Sequence, residues 1–295
     1  MMLGYLPDPI RFFLDQGHLA VRTFFVLSGF VLTQGYARSP WRRKDLARYA
    51  MARFARIYPV YLLSLLLVAY FMLKTGTLHD AVTYGFVLQG WMPTPGAGWN
   101  TPAWSLSCEF FFYLCLPPVL LWLGRRGWWK LCLLAGLALV LAPLLRGEGM
   151  PVTWKPILHL GDFLVGIIAA RVYSHISGKV RLRGYWLYLP AMAIGLAVIV
   201  FQGASDIGTT LRPLNGMLVL GLALGGGAIA RFLSTATAQY LGQISYAMYI
   251  LHIPLLWWYG NHTSSLIYIA GVIAVSALAF EFVEKPANRW LRSRT

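Results

Sequence analysis

The stretch WNTPAWSLSCEFFFYL, residues 99–114, places a single carboxylate inside an apolar run. Ser105, Glu109 and Tyr113 recur every four residues, so on an α-helix they share one face. At about 1.5 Å rise per residue, Glu109 would lie roughly 12 Å inside a span that begins near residue 101. Such a carboxylate is typical of a general base or of a group that orients one. The alternative is a structural ion pair with an arginine of a neighbouring helix.

A second group of polar residues lies in RYAMARFARIYPVY, where Tyr49, Arg53 and Arg56 recur at i, i+4 and i+7. Two arginines at the end of a membrane helix suit a phosphate-bearing ligand, because a guanidinium binds such oxygens through two parallel hydrogen bonds. The alternative is that both side chains reach out of the apolar region and only fix the orientation of the helix.

Two further motifs carry polar residues inside apolar segments. In LGQISYAMYILHIP, Ser245, Tyr249 and His252 fall on one helical face, and the histidine suits either proton transfer or a brace between helices. In FFVLSGFVLT, Ser28 and Gly29 lie in the middle of a span, where the glycine permits a close approach of helices.

The composition indicates which elements must hold these residues. Only 12% of the 295 residues are charged, 58% are hydrophobic and the mean hydropathy is +0.60, whereas soluble domains carry about 25% charged residues. Apolar runs of the length that crosses a bilayer recur along the chain. We predict an all-α, polytopic transmembrane helix bundle with nine spans, at about 18–36, 57–74, 101–123, 128–145, 155–174, 185–202, 213–233, 238–258 and 264–283. Residues 79–92 are too short and polar to cross, and we expect them to lie on the membrane surface or to fold back into the protein.

The distribution of basic residues predicts the orientation. Alternate loops, with the adjoining helix ends, carry 19 of the 25 Lys and Arg residues. By the positive-inside rule these loops and the C-terminus are cytoplasmic, and the N-terminus of this chain is extracytoplasmic. We therefore expect an extracytoplasmic segment at residues 1–17, one membrane domain at 18–286 and a cytoplasmic basic tail at 287–295 in a multi-pass cell-membrane protein.

Other features narrow the range of functions. The net charge of +15 is explained by cytoplasmic loops, so nucleic acid is not an expected partner. The three cysteines, Cys108, Cys115 and Cys132, lie in apolar segments without the spacing of metal ligands, so we expect no metal. Asp162 lies within a predicted span and is expected to pair with an arginine.

Five stretches together resemble the acyltransferase 3 family of integral-membrane acyltransferases. In chain order they are FFVLSGFVLT, RFARIYPVY, TPAWSLSCEFFFY, LGQISYAMYILHIP and EFVEKPANRW. The resemblance implies transfer of an acyl group, commonly acetyl, from cytoplasmic acyl-CoA to a hydroxyl of a cell-surface glycan or a lipid-linked saccharide. Acyl-CoA is then a co-substrate, and no cofactor is bound permanently. Membrane lipid surrounds the protein, and a homo-oligomer is compatible with this assignment.

The resemblance also implies roles for individual residues. Glu109 matches the family's glutamate, Arg53 and Arg56 match its paired arginines, and Ser28 matches its SGF element. We expect Glu109 to be catalytic, with His252 as a second candidate for proton transfer. We expect the phosphates of acyl-CoA at Arg53 and Arg56, with help from Arg42, Arg43 or Lys44. The remaining predicted substrate-binding residues are Trp104, Ser105, Tyr113, Ser245 and Tyr249, and Trp99 and Trp91 are further candidates for stacking against a sugar.

One departure from the family pattern concerns a span that would precede FFVLSGF. In the family that span carries a basic residue and, about ten positions on, the histidine thought to be central to transfer, and it is absent from the printed sequence. The printed start is an internal methionine, the gene is a degraded remnant, or the protein works without that helix. We favour the first explanation because the downstream motifs are intact. If the printed chain is all that is made, we expect little or no activity.

Rival functions remain open at this point. Buried charges in a helical bundle also suit a membrane transporter, an acyl conduit that serves a partner enzyme, or an inactive remnant. Transporters often contain inverted repeats with broken helices in matching halves, and the sequence shows no such symmetry.

Overall fold

The computed structural model describes residues 17–92, 98–124, 127–147, 154–179, 183–202, 207–259 and 265–292. Residues 1–16 of the predicted extracytoplasmic segment and residues 293–295 of the predicted tail lie outside these ranges. All regular secondary structure in the described ranges is helical. The α-helices are α1 (Gly17–Tyr36), α2 (Arg43–Thr75), α3 (Leu78–Gly85), α4 (Trp104–Leu123), α5 (Trp128–Gly147), α6 (Lys155–Ile176), α7 (Tyr185–Gln202), α8 (Ile207–Leu224), α9 (Gly227–Leu233), α10 (Ala236–Tyr259), α11 (Ser265–Ala279) and α12 (Lys285–Arg292).

Every segment that was predicted to cross the membrane coincides with helix. Among the described residues, five helical stretches are long and apolar enough to cross, namely Leu19–Tyr36, Arg43–Thr75, Thr101–Leu123, Lys155–Ile176 and Leu266–Leu291. A sixth span results if α8 and α9 count as one, and α5 and α7 contain shorter apolar stretches. The helical architecture and the membrane character are therefore confirmed, and the number nine stays a prediction.

The junction of α8 and α9 is bent by 76° because of a run of glycines. Gly225, Gly226 and Gly227 all have positive φ, at 78°, 91° and 83°. This conformation is open to glycine and strained for residues with a Cβ, so the helix breaks at this point.

Helix contacts divide the chain into two compact units. The first is built mainly from Pro40–Tyr113 and Ala236–Thr295, and the second from Asp8–Ser39 and Leu114–Thr235. The helix α4 contributes its first half to the first unit and its second half to the second unit. The predicted membrane domain at 18–286 thus contains two packing units.

In the first unit, the long helix α2 packs against α10, α12 and the π-helical turn Phe280–Glu284. Its buried side chains include Tyr49, Ile57 and Tyr61. The Tyr246 hydroxyl of α10 donates a hydrogen bond of 2.7 Å to the Ile57 carbonyl, which fixes α10 beside α2.

The segment that follows α2 folds back into the same unit through buried polar groups. The Gln89 amide donates to the Tyr61 hydroxyl over 2.6 Å, and that hydroxyl donates to the Tyr84 carbonyl over 2.6 Å. The Ser107 hydroxyl donates to the Val87 carbonyl over 2.6 Å. Buried polar groups need such partners, so this network holds the segment inside the protein. Tyr84, Val87 and Gln89 are thus buried in the first unit, whereas Val82 and Phe86 are exposed, so both alternatives for residues 79–92 stay predictions.

The start of α3 is fixed by a reciprocal cap. The Thr77 hydroxyl accepts from the Asp80 N–H, and the Asp80 carboxylate accepts from the Thr77 N–H over 3.0 Å. The hydrogen bonds from Thr77 hold the pKa of the Asp80 carboxyl below its ordinary value.

In the second unit, α1 lies along α6 at a distance that only glycines allow. A Cβ at Gly29 would clash with the Phe163 carbonyl oxygen, and a Cβ at Gly166 would clash with the Val26 carbonyl oxygen. The two glycines therefore let the backbones touch, and the predicted close approach of helices at Gly29 is confirmed.

Candidate active site

The carboxylate of Glu109 points into the first unit. The 3₁₀ turn Thr101–Ala103 leads into α4, and Glu109 lies in the second turn of that helix with only 3% of its surface exposed. The Tyr113 hydroxyl, one turn further on, donates to the Glu109 carboxylate over 3.3 Å. The expected spacing along one helical face thus produces a direct contact, and Glu109 faces the protein interior.

The two arginines of α2 lie beside this carboxylate. The Arg53 guanidinium carbon is 5.9 Å from the ring centroid of Tyr113, and that of Arg56 is 5.8 Å from the ring centroid of Tyr246. Both distances are in the range of cation–π contacts. The charge of Glu109 acts on Arg56 and on both tyrosines. The structure therefore brings together the glutamate and the arginine pair that the sequence placed in separate motifs.

A second buried carboxylate, Glu284, belongs to the same group. It is 1% exposed and forms an ion pair with Arg56, whose side chain is 34% exposed. Its other oxygen has no hydrogen-bond partner among the described residues. Glu284 ends the π-helical turn, a type of distortion that is frequent at functional sites. No role was predicted for Glu284 from the sequence. Like Glu109, it is an acidic residue next to a long apolar run, and this signal could have identified it.

Ser105 and Tyr249 meet at one backbone carbonyl. Their hydroxyls donate to the Pro102 carbonyl, over 2.9 Å and 3.1 Å. The charge of Glu109 also acts on Tyr249. The two residues fasten α10 to the turn that precedes α4, and they lie near the carboxylate as expected.

His252 takes part in one hydrogen bond within α10 and in one between α10 and α11. Its Nδ1 is 2.7 Å from the Tyr249 carbonyl, which only accepts, so Nδ1 carries the proton and Nε2 is the basic nitrogen. The Tyr268 hydroxyl of α11 donates to the His252 carbonyl over 2.6 Å. The bond between helices uses the His252 backbone carbonyl and the imidazole bonds within its own helix, so proton transfer and bracing by this side chain both stay predictions.

Two predicted contact residues do not face the group around Glu109. Ser245 is exposed, and its hydroxyl donates to the Gly242 carbonyl of its own helix. The neighbouring Tyr246 takes the inward position instead, because one residue rotates the side chain by about 100° around the helix. Trp99 is 1% exposed and packs on Tyr84 at 5.2 Å, so its ring is not open to a sugar.

The other two tryptophans are half-buried in the first unit. Trp91 lies edge-on to Phe111 with 5.3 Å between the ring centroids. Trp104 is the first residue of α4. Both keep part of their rings accessible, which a role in stacking requires.

Ser28 belongs to the second unit, on α1, and its side chain is half-buried. The adjacent Gly29 packs directly against the backbone of α6. Ser28 therefore lies in a different packing unit from Arg53, Arg56 and Glu109.

The second unit has a buried charge cluster of its own around Asp162. Arg22 donates to both carboxylate oxygens, over 3.1 Å and 3.2 Å, and Arg212 donates over 3.0 Å. His159 Nδ1 lies 3.2 Å from the same carboxylate. The predicted pairing of Asp162 with an arginine is confirmed, and the partners tie α1, α6 and α8 together.

No group of three or more His, Cys, Asp or Glu side chains in the described ranges is arranged to hold a metal ion. The polar groups around Glu109 are instead carboxylates, guanidinium groups and tyrosine hydroxyls. Such a set can bind anions, hold a hydroxyl and accept a proton.

Comparisons with known proteins identify relatives of the whole chain. The model of the acyltransferase 3 family, described as an acyltransferase domain, matches residues 2–283. The chain is 28% identical to the acyltransferase MdmB of Streptomyces mycarofaciens over 81% of this chain and 68% of that protein. It is 22% identical to nodulation protein 10 of Rhizobium leguminosarum bv. viciae over 91% of this chain and 82% of that protein.

A further relative is the O-acetyltransferase OatA of Staphylococcus aureus, which is 22% identical over 94% of this chain and 53% of that longer protein. No solved structure matches the chain. The family match covers nearly the whole sequence and includes the motifs that carry Glu109, Arg53, Arg56 and Tyr246, and it ends one residue before Glu284. The chain therefore belongs to the acyltransferase 3 family and is a membrane acyltransferase that transfers groups other than aminoacyl groups.

Proposed function

We propose that the protein moves an acetyl group from acetyl-CoA to a hydroxyl of a cell-surface glycan or a lipid-linked saccharide. The observation that carries this proposal is the buried Glu109 carboxylate, which accepts from Tyr113 and lies within electrostatic range of Arg56. The name of one relative, an O-acetyltransferase, supports acetyl as the group and an oxygen as its acceptor.

The donor would bind through α2. Arg42, Arg43 and Lys44 are exposed at its start, and Arg53 and Arg56 follow further along the helix. At about 1.5 Å per residue, these charges extend over roughly 20 Å, so several phosphates can be bound along one helix. Because Arg56 is already paired with Glu284, Arg53 and the exposed residues would carry most of the phosphate binding.

Glu109 would act as the general base. The acceptor oxygen attacks the thioester carbonyl carbon while its proton passes to a Glu109 oxygen. The tetrahedral intermediate then collapses with cleavage of the C–S bond, and the proton returns from Glu109 to the departing CoA thiolate. The Tyr113 hydroxyl holds the carboxylate in position throughout, because its hydrogen bond comes from the same helix. His252 is the second candidate for proton transfer, through Nε2.

The proposal includes a topology. Nine spans, an extracytoplasmic start of this chain and a cytoplasmic C-terminus would place the first turns of α2 on the cytoplasmic side, where acyl-CoA is available. The support is the helix present at each of the nine segments and the bias of basic residues towards alternate loops.

The test is Glu109→Gln in protein expressed from its complete gene. We expect O-acetylation of the acceptor glycan from labelled acetyl-CoA in membrane vesicles to fall by about 10²–10⁴-fold, the typical contribution of a general base. Glu281→Gln is the matched control, because Glu281 is partly exposed and pairs with Lys285. Unchanged acetylation in Glu109→Gln vesicles would remove Glu109 from the mechanism.

An assay of the purified protein separates an enzyme from a transporter or conduit. Purified acyltransferase releases one free CoA thiol for each acetyl ester that it forms on the acceptor. A transporter or conduit would move its cargo without release of CoA thiol by the purified protein.

A further inference from the structure

The second unit contains a basic cleft whose residues have no role in the proposed mechanism. It has a volume of about 170 Å³ and lies where the end of α4, the start of α5 and the end of α6 meet. Its polar side chains are Arg171, Ser174 and His175 of α6, and its opposite wall includes Gly124 and Gly127.

Arg171 is the side chain in this cleft that lacks a partner. Its Nε is buried without a hydrogen-bond partner in the described part of the chain, and no ion pair of Arg171 is found there. A buried donor without a partner costs about 1–3 kcal/mol, more when it is charged. Ser174 does not offer it an acceptor of the right charge, since its hydroxyl donates to the Ala170 carbonyl and accepts from the Gln34 amide. The position therefore favours an anion that is not part of the protein.

The lining residues around Arg171 carry no negative charge that could neutralise it. None of the residues that line the cleft is acidic, and the sequence contains no acidic residue at 123–131 or 171–175. Lys130 adds a further positive charge next to the lining, where it lies over the rings of Trp122 and Trp129 and donates to the Trp122 carbonyl. Arg171 as a whole is half-buried, so water reaches part of the guanidinium group, and an anion in the cleft would in addition give its buried Nε a charge-assisted hydrogen bond.

Gly124 and Gly127 line the cleft without a side chain that would narrow it. Gly124 has a φ of 58°, a conformation that favours glycine, and ends α4. A Cβ at Gly127 would come within 2.9 Å of the Leu123 carbonyl oxygen. Between Leu123 and Leu131 these two glycines add no side chain to the lining, which leaves room for a compact anion.

We propose that this cleft binds a phosphate group, carried either by the headgroup of an anionic phospholipid or by the CoA part of the donor. A guanidinium pairs with phosphate oxygens through two parallel hydrogen bonds, and a histidine adds a third donor. The loops at 124–130 and 175–184 are both predicted to be cytoplasmic, where both sources occur. The nucleotide source rests on the proposed function, and the lipid source is independent of it.

The experiment compares Arg171→Gln with wild type in neutral detergent. One arm measures retention of phosphatidylglycerol against phosphatidylcholine by native mass spectrometry, and the other measures affinity for CoA and for 3′-dephospho-CoA by calorimetry. We expect Arg171→Gln to lose at least about tenfold in affinity in one arm, as the loss of a charge-assisted hydrogen bond predicts. Arg231→Gln, an exposed arginine of the same unit, is the matched control and is expected to behave as wild type.

Each outcome has a distinct meaning. A loss of phosphatidylglycerol retention alone identifies the lipid headgroup, and a loss of CoA affinity alone identifies the nucleotide. If Arg171→Gln does not purify as a monodisperse protein, Arg171→Lys replaces it, which keeps the charge but lacks the Nε donor and should bind more weakly. Wild-type affinity of the folded variant in both arms overturns the proposal.

The outcome is also separable from that of the proposed function. Glu109→Gln protein should keep the binding that depends on Arg171, because the two residues belong to different units. Loss of transfer in one variant and loss of phosphate binding in the other are therefore read independently.

Discussion

Arg56 has two acidic neighbours with different roles. It is ion-paired with Glu284 and lies within the field of Glu109. With Arg53, the group contains two guanidinium groups and two carboxyl groups, so basic and acidic side chains are present in equal number. A charge in the apolar part of a membrane protein costs roughly 2.5–3.5 kcal/mol on insertion scales, and pairing reduces this cost. Glu284 thus allows Arg56 to sit beside Glu109 and keeps Arg56 in position.

The ion pair predicts a stability difference between two neighbouring glutamates. Glu284→Gln should lower the free energy of unfolding by about 1–3 kcal/mol, less than the loss of a fully buried pair, because a third of the Arg56 side chain is exposed to solvent. Glu281→Gln removes a pair between partly exposed residues and should cost at most about 0.5 kcal/mol. Unfolding by SDS titration in mixed micelles measures both values. Equal stability of the two variants would contradict the ion pair.

At the scale of helices, the contact between α1 and α6 depends on glycines rather than on interlocking large side chains. Gly29 and Gly166 each face a backbone carbonyl of the other helix. Lipid is as apolar as most side chains, so association of membrane helices rests on close packing and polar contacts. The bonds from Arg22 on α1 to Asp162 on α6 supply the polar contact for the same pair.

This packing predicts opposite effects for two identical substitutions in α1. Gly29→Ala should destabilise the protein by about 1–3 kcal/mol, the usual cost of overpacking, because its new methyl group would overlap the Phe163 carbonyl oxygen. Gly35→Ala has open space around its Cβ and should be neutral or stabilise by up to about 1 kcal/mol through helix propensity. Thermal unfolding in detergent, followed by circular dichroism, compares the two. A tolerated Gly29→Ala would mean that α1 and α6 are further apart than described.

For the whole molecule, the open question of architecture is how often the chain crosses the bilayer. Five stretches meet the requirements of a span by length and apolarity, and the bent pair α8 and α9 adds a sixth. The nine predicted spans require that α5, α7 and α10 also cross. α10 has a polar first half, and its inward residues bond to α2 and to the turn before α4. Polar residues in a span are tolerated when they face the protein, so its modest apolarity is compatible with crossing.

Single cysteines test this topology. In a variant without the three native cysteines, His79→Cys should react in intact cells with a maleimide that cannot cross the membrane. Lys179→Cys and Thr235→Cys should react only after permeabilisation, because both loops are predicted to be cytoplasmic. All three positions are exposed in their units. Labelling of Thr235→Cys but not of Lys179→Cys in intact cells would show that α7 and the bent pair α8 and α9 do not both cross as single spans.

The sequence alone determined the helices, the membrane environment and the family. Within a bilayer, every backbone polar group must be satisfied inside the chain, so apolar runs such as 155–174 have to be helical whatever they pack against. It also determined that Glu109 and Asp162 must face protein, because a charge that faces lipid is too costly. These conclusions depend on local composition and on the regular geometry of one helix.

The tertiary structure alone decided which side chains meet. Glu284 and Arg56 lie far apart in the sequence, and no spacing rule predicts their ion pair. The inward position of Tyr246 rather than Ser245 depends on the rotation of α10, which its packing against α2 sets. Trp99 is buried because α3 and the turns after it fold back over α2. Hydropathy determines whether a residue lies in water or in the membrane. Which side chains it contacts depends on how the helices rotate and pack, and this packing is a property of the whole fold.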